Sequence, residues 1–392
     1  MSQPRRPIQR DLILRALLAP ASVTGLSPLE WDLLIRQGRR ANLLARLAYR
    51  LGDAGLIDAV PPRPRLHLLA DKLLSDRQIV SVQWEVECLR RELADAKVRT
   101  VLLKGAAYVM AGLPAAAGRT FSDIDIIVPK TKLADVESWL MAHGWQSAKQ
   151  DEYDQRYYRQ WMHEIPPLTH IRRGTSLDVH HAILPETARI QVNTPALFEG
   201  IVPLPGAAHV DVLQPWDMLL HSATHLFHEG ELDNGLRDLF DLDSLLRHFG
   251  ATPGFWEGLV PRALHLGLQR PLYYALRYTT LLLETPVPEA VLQAATVGRP
   301  AFGVAALMDA CYTRALRPAH ASTSSLGTWP ARFALYVRSH WIRMPFGLLA
   351  LHLGRKAFVR PKRPEPEKVV DPHDDTPAPT TAGKPADTAA AG

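Results

Sequence analysis

The spacing of apolar residues changes twice along this chain of 392 residues, after Lys97 and again at Pro215, and the fold has to satisfy both changes. From residue 10 to about 96 the apolar positions recur at helical spacing, as in Leu33, Leu34, Leu43, Leu44, Leu47 and Leu51 and again in Leu66, Leu69, Leu73, Leu74 and Val80. Ala54 to Arg65, with Gly55, Pro61, Pro62 and Pro64, reads as a break between two helical groups, because proline lacks a donor and restricts the residue before it. Beyond Lys97 the pattern becomes that of short strands: Val98 to Leu103, Ile124 to Val128, Tyr153 to Tyr158, Ile165 to Ile171 and Leu177 to His181. Lys132 to His143 has helical spacing and is ended by Gly144. Helical periodicity then returns in Trp216 to Phe227, in Leu236 to Phe249 and in several segments between Pro253 and Ala315.

These patterns predict an α+β protein, a small mixed sheet with flanking helices. A helical N-terminal region is expected over 1–96, an α/β core over 97–212, a helical C-terminal domain over 213–330, a basic amphipathic helical segment over 331–361 and a disordered tail over 362–392. The tail is rich in Pro, Ala, Thr and Asp and has too few large apolar side chains to offset the entropy of ordering. With 47% hydrophobic and 22% charged residues, the rest of the chain can bury a substantial core.

Composition narrows the setting. The lone Cys88 and Cys311 give neither a disulfide framework nor a zinc ligand set, which points to a reducing cytoplasm. Arg15 interrupts the apolar run from Leu12 to Ala19, which argues against a signal peptide. No stretch approaches the roughly 20 apolar residues of a membrane span. Met344 to Leu353 comes nearest. The formal charge of +5 would suit a polyanion, but much of the excess lies near the ends and serves solubility equally well; a nucleic acid is a secondary expectation.

The densest chemical signal is Arg119-Thr-Phe-Ser122-Asp123-Ile-Asp125-Ile-Ile-Val128. On a strand, positions i and i+2 share a face, so Asp123 and Asp125 stand together while Ile124 and Ile126 enter the core. Adjacent carboxylates are costly unless a cation lies between them, and Mg²⁺ (or Mn²⁺) suits carboxylates with triphosphate oxygens. Leu177-Asp178-Val179-His180 repeats the rhythm on a later strand and offers a third acid. Three such acids make a two-metal site feasible, with Asp123 and Asp125 on both ions and Asp178 nearest the acceptor. Upstream, Lys104-Gly105 ends one strand and opens a helix, where free N–H groups and the dipole receive phosphate. Lys104 and Arg119 are the cations expected at the triphosphate, with Gly105, Ser122 and His180 beside the nucleotide.

This arrangement resembles the uncharacterised bacterial nucleotidyltransferases of the polymerase-β superfamily. The elements that carry the likeness are Leu103-Lys104-Gly105, Arg119, Asp123-Ile-Asp125 and Asp178-Val-His180, together with a downstream His-rich helix (His221, His225) and Arg237-Asp238. The resemblance spans roughly residues 30–250 and implies a nucleotidyltransferase sheet with helical extensions that is Mg²⁺-dependent and uses a nucleoside triphosphate. It supplies no acceptor: a small molecule, sugar, peptide or protein all remain open. Two features depart from the wider superfamily. Ala106 stands where a serine is common, and the gap from Gly105 to Asp123 is longer than in compact members.

His221, His225 and His228 share one helical face and could ligate a transition metal with Asp238 or Asp241, although a structural or substrate-facing stripe is the simpler reading. His180 is expected either to touch nucleotide or to orient Asp178. Residues 332–363 mix arginine with Phe333, Tyr336, Trp341 and Phe346, which allows peripheral contact with an anionic membrane at its inner face. Two alternatives to the enzyme follow: a non-catalytic nucleotide-binding module on the same fold, and a membrane-surface or interaction scaffold.

Overall fold

In the computed structural model, residues 11–147, 152–207, 209–228, 230 and 232–343 are described. The expected tail over 362–392, the apolar run Met344 to Leu353 and most of the 332–363 segment lie outside them. The fold is mixed α+β, as its alternating periodicities require. Four helices come first: α1 (Leu12–Leu18), α2 (Pro28–Arg40), α3 (Leu44–Asp53) and the long α4 (Pro62–Glu92). A capping box starts α2, in which Ser27 Oγ accepts from the Glu30 N–H and the Glu30 carboxylate accepts from the Ser27 N–H. The expected break ends earlier than Arg65. Pro62 and Pro64 begin α4 because the first turn of a helix has no intrahelical use for their missing N–H groups.

The sheet has seven strands: β1 (Thr100–Leu102), β2 (Asp123–Ile127), β3 (Trp145–Ser147), β4 (Leu168–His170), β5 (Ser176–His180), β6 (Val202–Pro203) and β7 (Val210–Val212). Their order is β3-β4-β5-β2-β1-β7-β6. The β2/β5 and β1/β7 pairs are parallel and the others antiparallel. The centre of the sheet is buried, which explains the near-continuous apolar runs in β1 and β2. Ile126, Ile127, Leu177 and Val179 are wholly buried, and each such side chain contributes about 1.5–3 kcal/mol.

Between the strands lie α5 (Lys104–Met110), α6 (Leu133–Ala142), α7 (Glu152–Trp161) and the short α8 (Thr194–Leu197). The strand expected at Tyr153 to Tyr158 is a mistake: α7 occupies it. Its aromatic positions, 153, 157, 158 and 161, recur at i, i+4, i+5 and i+8, a helical rather than an alternating period. The remaining helices are α9 (Pro215–His228), α10 (Gly235–Phe249), α11 (Phe255–Leu266), α12 (Gln269–Leu283), α13 (Glu289–Ala294), α14 (Phe302–Ala315) and α15 (Thr328–Arg343).

The buried helix α9 is fixed by an aromatic cluster in which Phe227 lies 5.7 Å from Tyr274 and 5.2 Å from Tyr312, ring centre to ring centre. Buried ion pairs tie distant stretches together. Asp241 of α10 accepts Arg46 of α3 on one oxygen, at 2.6 Å, and Arg119 on the other, at 2.8 Å. Asp11, fully buried before α1, receives a two-pronged bond from Arg317 at 2.7 and 2.8 Å. On α15 the aromatics Trp329, Phe333 and Trp341 face outward. Arg332 and Arg338 instead turn to partners in the protein, Asp233 and the Phe227 carbonyl. No single helix among the described residues is long and apolar enough to cross a membrane; Glu289–Gly298 and Phe302–Ala315 reach that length and composition only as a pair, bent by 111°.

Candidate active site

The parallel register of β2 with β5 sets Asp125 directly opposite Asp178 and Ile127 opposite His180. Asp123 lies two residues before Asp125, so all three acids belong to the same face of the sheet. Above that face is a cavity of about 290 Å³ whose lining includes Lys104, Asp123, Asp178 and His180. Four of the residues singled out from sequence therefore meet at one place. Asp125 sits beneath them, 5% exposed. Its Oδ1 accepts from Lys104 Nζ at 2.9 Å and lies 3.1 Å from His180 Nε2.

Local backbone explains how Lys104 gets there. The Leu103 N–H donates to the Asp125 carbonyl, which ties the end of β1 to β2. Lys104 then takes a left-handed conformation, φ 44°, which is uncommon for a residue with a side chain and is held only where the surroundings impose it. The next residue must be glycine for a steric reason. A Cβ on Gly105 would come within 2.5 Å of Arg119 Nη1 and 2.6 Å of the Phe121 ring. Gly105 thus serves packing at the start of α5, a helix of seven residues. Ser122 Oγ donates to Asp123 Oδ1 at 2.9 Å and so touches the acid pair from outside the strand.

Electrostatics separates the acids. Burial pushes the Asp178 carboxyl up to about 7, helped by the nearby charges of Asp125 and Glu164. Burial also acts on Asp125, but Lys104 and His180 outweigh it and hold that carboxyl well below its usual range. Asp178 Oδ1 is buried without a hydrogen-bond partner. In a folded protein such an atom needs a reason.

Two expectations need correction. Arg119 does not line the cavity; it is buried, its Nε is spent on Asp241, and its guanidinium packs beside the Phe121 and Tyr108 rings. A buried cation of this kind is fixed by its counter-charge, so in this structure Arg119 supports the wall and does not face the cavity. His180 orients Asp125 rather than Asp178. The histidine stripe does face the cavity through His221, His225 and His228. Its suggested acid partners are engaged elsewhere, Asp241 with Arg46 and Arg119 and Asp238 with Arg237. Burial, followed by the Arg338 charge, lowers His228 to about 3, and burial followed by Lys104 holds His221 well below its ordinary value.

His163, Glu164 and Arg343, none of them marked by a sequence motif, also line the cavity. His163 and Glu164 follow α7 and are clipped against the end of β5, where the His163 carbonyl accepts from the His181 N–H and the Ile165 N–H reaches the Val179 carbonyl. A His-Glu pair next to a strand was the available signal. Arg343 ends α15 and gives none, because its place depends on how α15 packs.

A family model described as an uncharacterised nucleotidyltransferase matches residues 27–284. Among solved structures, an antigenic nucleotidyltransferase-like protein from Paracoccidioides brasiliensis aligns with 54% of this chain and 96% of its own length. Its identity is 15% and the TM-score 0.29, a likeness too slight to inform the fold. No curated protein matches the chain.

Proposed function

Because the chain belongs to the uncharacterised nucleotidyltransferase family, we propose that it moves a nucleoside monophosphate from a nucleoside triphosphate to an acceptor hydroxyl or phosphate in the cavity over β2 and β5. The observation that carries this reading is the pairing of Asp125 with Asp178 beside Asp123, with the buried Asp178 Oδ1 left without a partner. Crowded carboxylates in a partly desolvated wall repel one another, and a divalent cation relieves them. The donors are all carboxylate oxygens, which fits Mg²⁺ or Mn²⁺. When bound, such an ion polarises the α-phosphate and neutralises the departing pyrophosphate.

The chain's own residues supply the rest. Asp123 and Asp125 hold the ion from β2 and Asp178 from β5. Lys104, steadied by Asp125, meets the triphosphate as a point charge. The acceptor oxygen attacks the α-phosphorus, the bond to the β-phosphate oxygen breaks, and pyrophosphate leaves with the electron pair. Asp178, which lines the cavity opposite Asp125, takes the acceptor's proton on a carboxylate oxygen. His180 fixes the orientation of Asp125 during this exchange.

A second reading, a non-catalytic nucleotide-binding module, draws on the fact that Lys104 and His180 already share Asp125 Oδ1, leaving less of that acid for a cation. Calorimetric titration of the four nucleoside triphosphates with and without Mg²⁺, repeated on Asp123→Asn, tests both. Metal-dependent binding that the variant loses, followed by pyrophosphate release in an acceptor mixture, supports transfer. Binding without pyrophosphate release supports the module. Heat from neither form refutes both.

A further inference from the structure

Beside the acid triad the same cavity holds a group of different donor chemistry. One ligand atom from each of His163, Glu164 and His180 lies within 4.8 Å of the other two. We propose that these three residues bind a borderline divalent cation such as Zn²⁺ at a site separate from the carboxylates of β2 and β5.

His180 carries the strongest part of the case. Its ring is 4% exposed, its Nε2 points to Asp125, and its Nδ1 is buried without a hydrogen bond. A ring whose far nitrogen donates to a carboxylate presents a lone pair at the near one, the usual support for a metal-binding histidine. That near nitrogen is 3.3 Å from Glu164 Oε2 but out of line for a hydrogen bond. Two ligands on a tetrahedral ion with bonds of about 2.0–2.1 Å stand about 3.3–3.4 Å apart, so this pair is already at coordination spacing. The His163 ring centre is 5.3 Å from that of His180, and His163 Nδ1 is likewise buried and unpartnered. A change of side-chain torsion at His163 closes the set.

The backbone leaves little to organise. His163 and Glu164 are fixed against β5 by the His163 carbonyl, which accepts from His181, and by the bridge between Glu164 and His180. Two imidazoles and one carboxylate select Zn²⁺, or a similar first-row ion, over Mg²⁺. Three protein ligands leave a fourth position open toward the cavity, as in zinc sites that bind a water or a substrate oxygen.

Zinc binding does not depend on nucleotidyl transfer, so the two readings fail separately. The test uses the full chain stripped with chelator and then titrated with Co²⁺, followed by Zn²⁺ in competition with a chromophoric chelator. One Co²⁺ per chain should give visible d–d bands that Zn²⁺ abolishes. His163→Ala and the near-isosteric Glu164→Gln, each checked for native circular dichroism, should weaken Zn²⁺ about 100-fold, whereas Asp123→Asn should keep the Zn²⁺ affinity of the wild type. Two results overturn the proposal: folded wild-type protein that takes up no Zn²⁺, and Zn²⁺ affinity that survives both variants but is lost in Asp123→Asn, which would put the ion on the triad.

Discussion

Replacing Asp178 by asparagine should stabilise the metal-free protein. Raising a carboxyl from about 4 in the unfolded chain to about 7 in the folded one costs about 4 kcal/mol once the pH exceeds both values. Asp178 is partly open to the cavity, and entering water screens the repulsion, so roughly 2 kcal/mol is the gain to expect. The sign follows from linkage. Between about pH 4 and 7 the folded state holds the extra proton, so wild-type stability falls as pH rises through that window. The variant lacks this group and escapes the fall. Urea denaturation in chelator at pH 8 and pH 5 measures the difference, which should shrink to less than half at the lower pH. Adding Mg²⁺ with the triphosphate that binds should reverse the order, because only the wild type gains the ligand's binding free energy. A variant no more stable than wild type at pH 8, or equally displaced at both pH values, would refute the assignment of Asp178 as a crowded, cation-seeking acid.

Other perturbations read other parts of the structure. Asp241→Asn leaves Arg46 and Arg119 buried without their shared counter-charge and should cost about 3–5 kcal/mol, seen as a large drop in denaturation midpoint. Gly118→Ala meets two obstacles, φ +69° and a Cβ that overlaps the Arg46 backbone, and should cost more than about 1 kcal/mol; an unchanged melting temperature would contradict the packing described. Lys104→Met should weaken triphosphate binding about tenfold or more while leaving the fold intact, because it removes one cation from the phosphate path and a partner from Asp125. Calorimetry on the variant reads this directly.

The acids were legible in the sequence because strand periodicity is local: Asp-Ile-Asp and Leu-Asp-Val-His each state a face. Their meeting was not, since nothing in either segment says that β5 pairs with β2 in parallel and brings Asp125 opposite Asp178. Arg119 misled for the same reason. Its position shortly before Asp123-Ile-Asp125 suggested phosphate, whereas its partner Asp241 lies 122 residues away on α10. Histidines at helical spacing on α9 announced a face without announcing what it faces. The strand expected at Tyr153 to Tyr158 failed because aromatic residues suit both kinds of element, and only their period decides.

The ion pair between Asp11 and Arg317 has a consequence for synthesis. These residues are 306 positions apart, and the acid is fully buried once paired. At about 5–20 residues per second, its cation leaves the ribosome roughly 15–60 s after the acid does. Until then docking α1 buries Asp11 without its partner, which disfavours covering the apolar face of Leu12, Ile13, Ala16 and Leu17 before Arg317 is made. Helix α1 is therefore among the last of the described elements to settle, and a holdase that covers short apolar helices would act there.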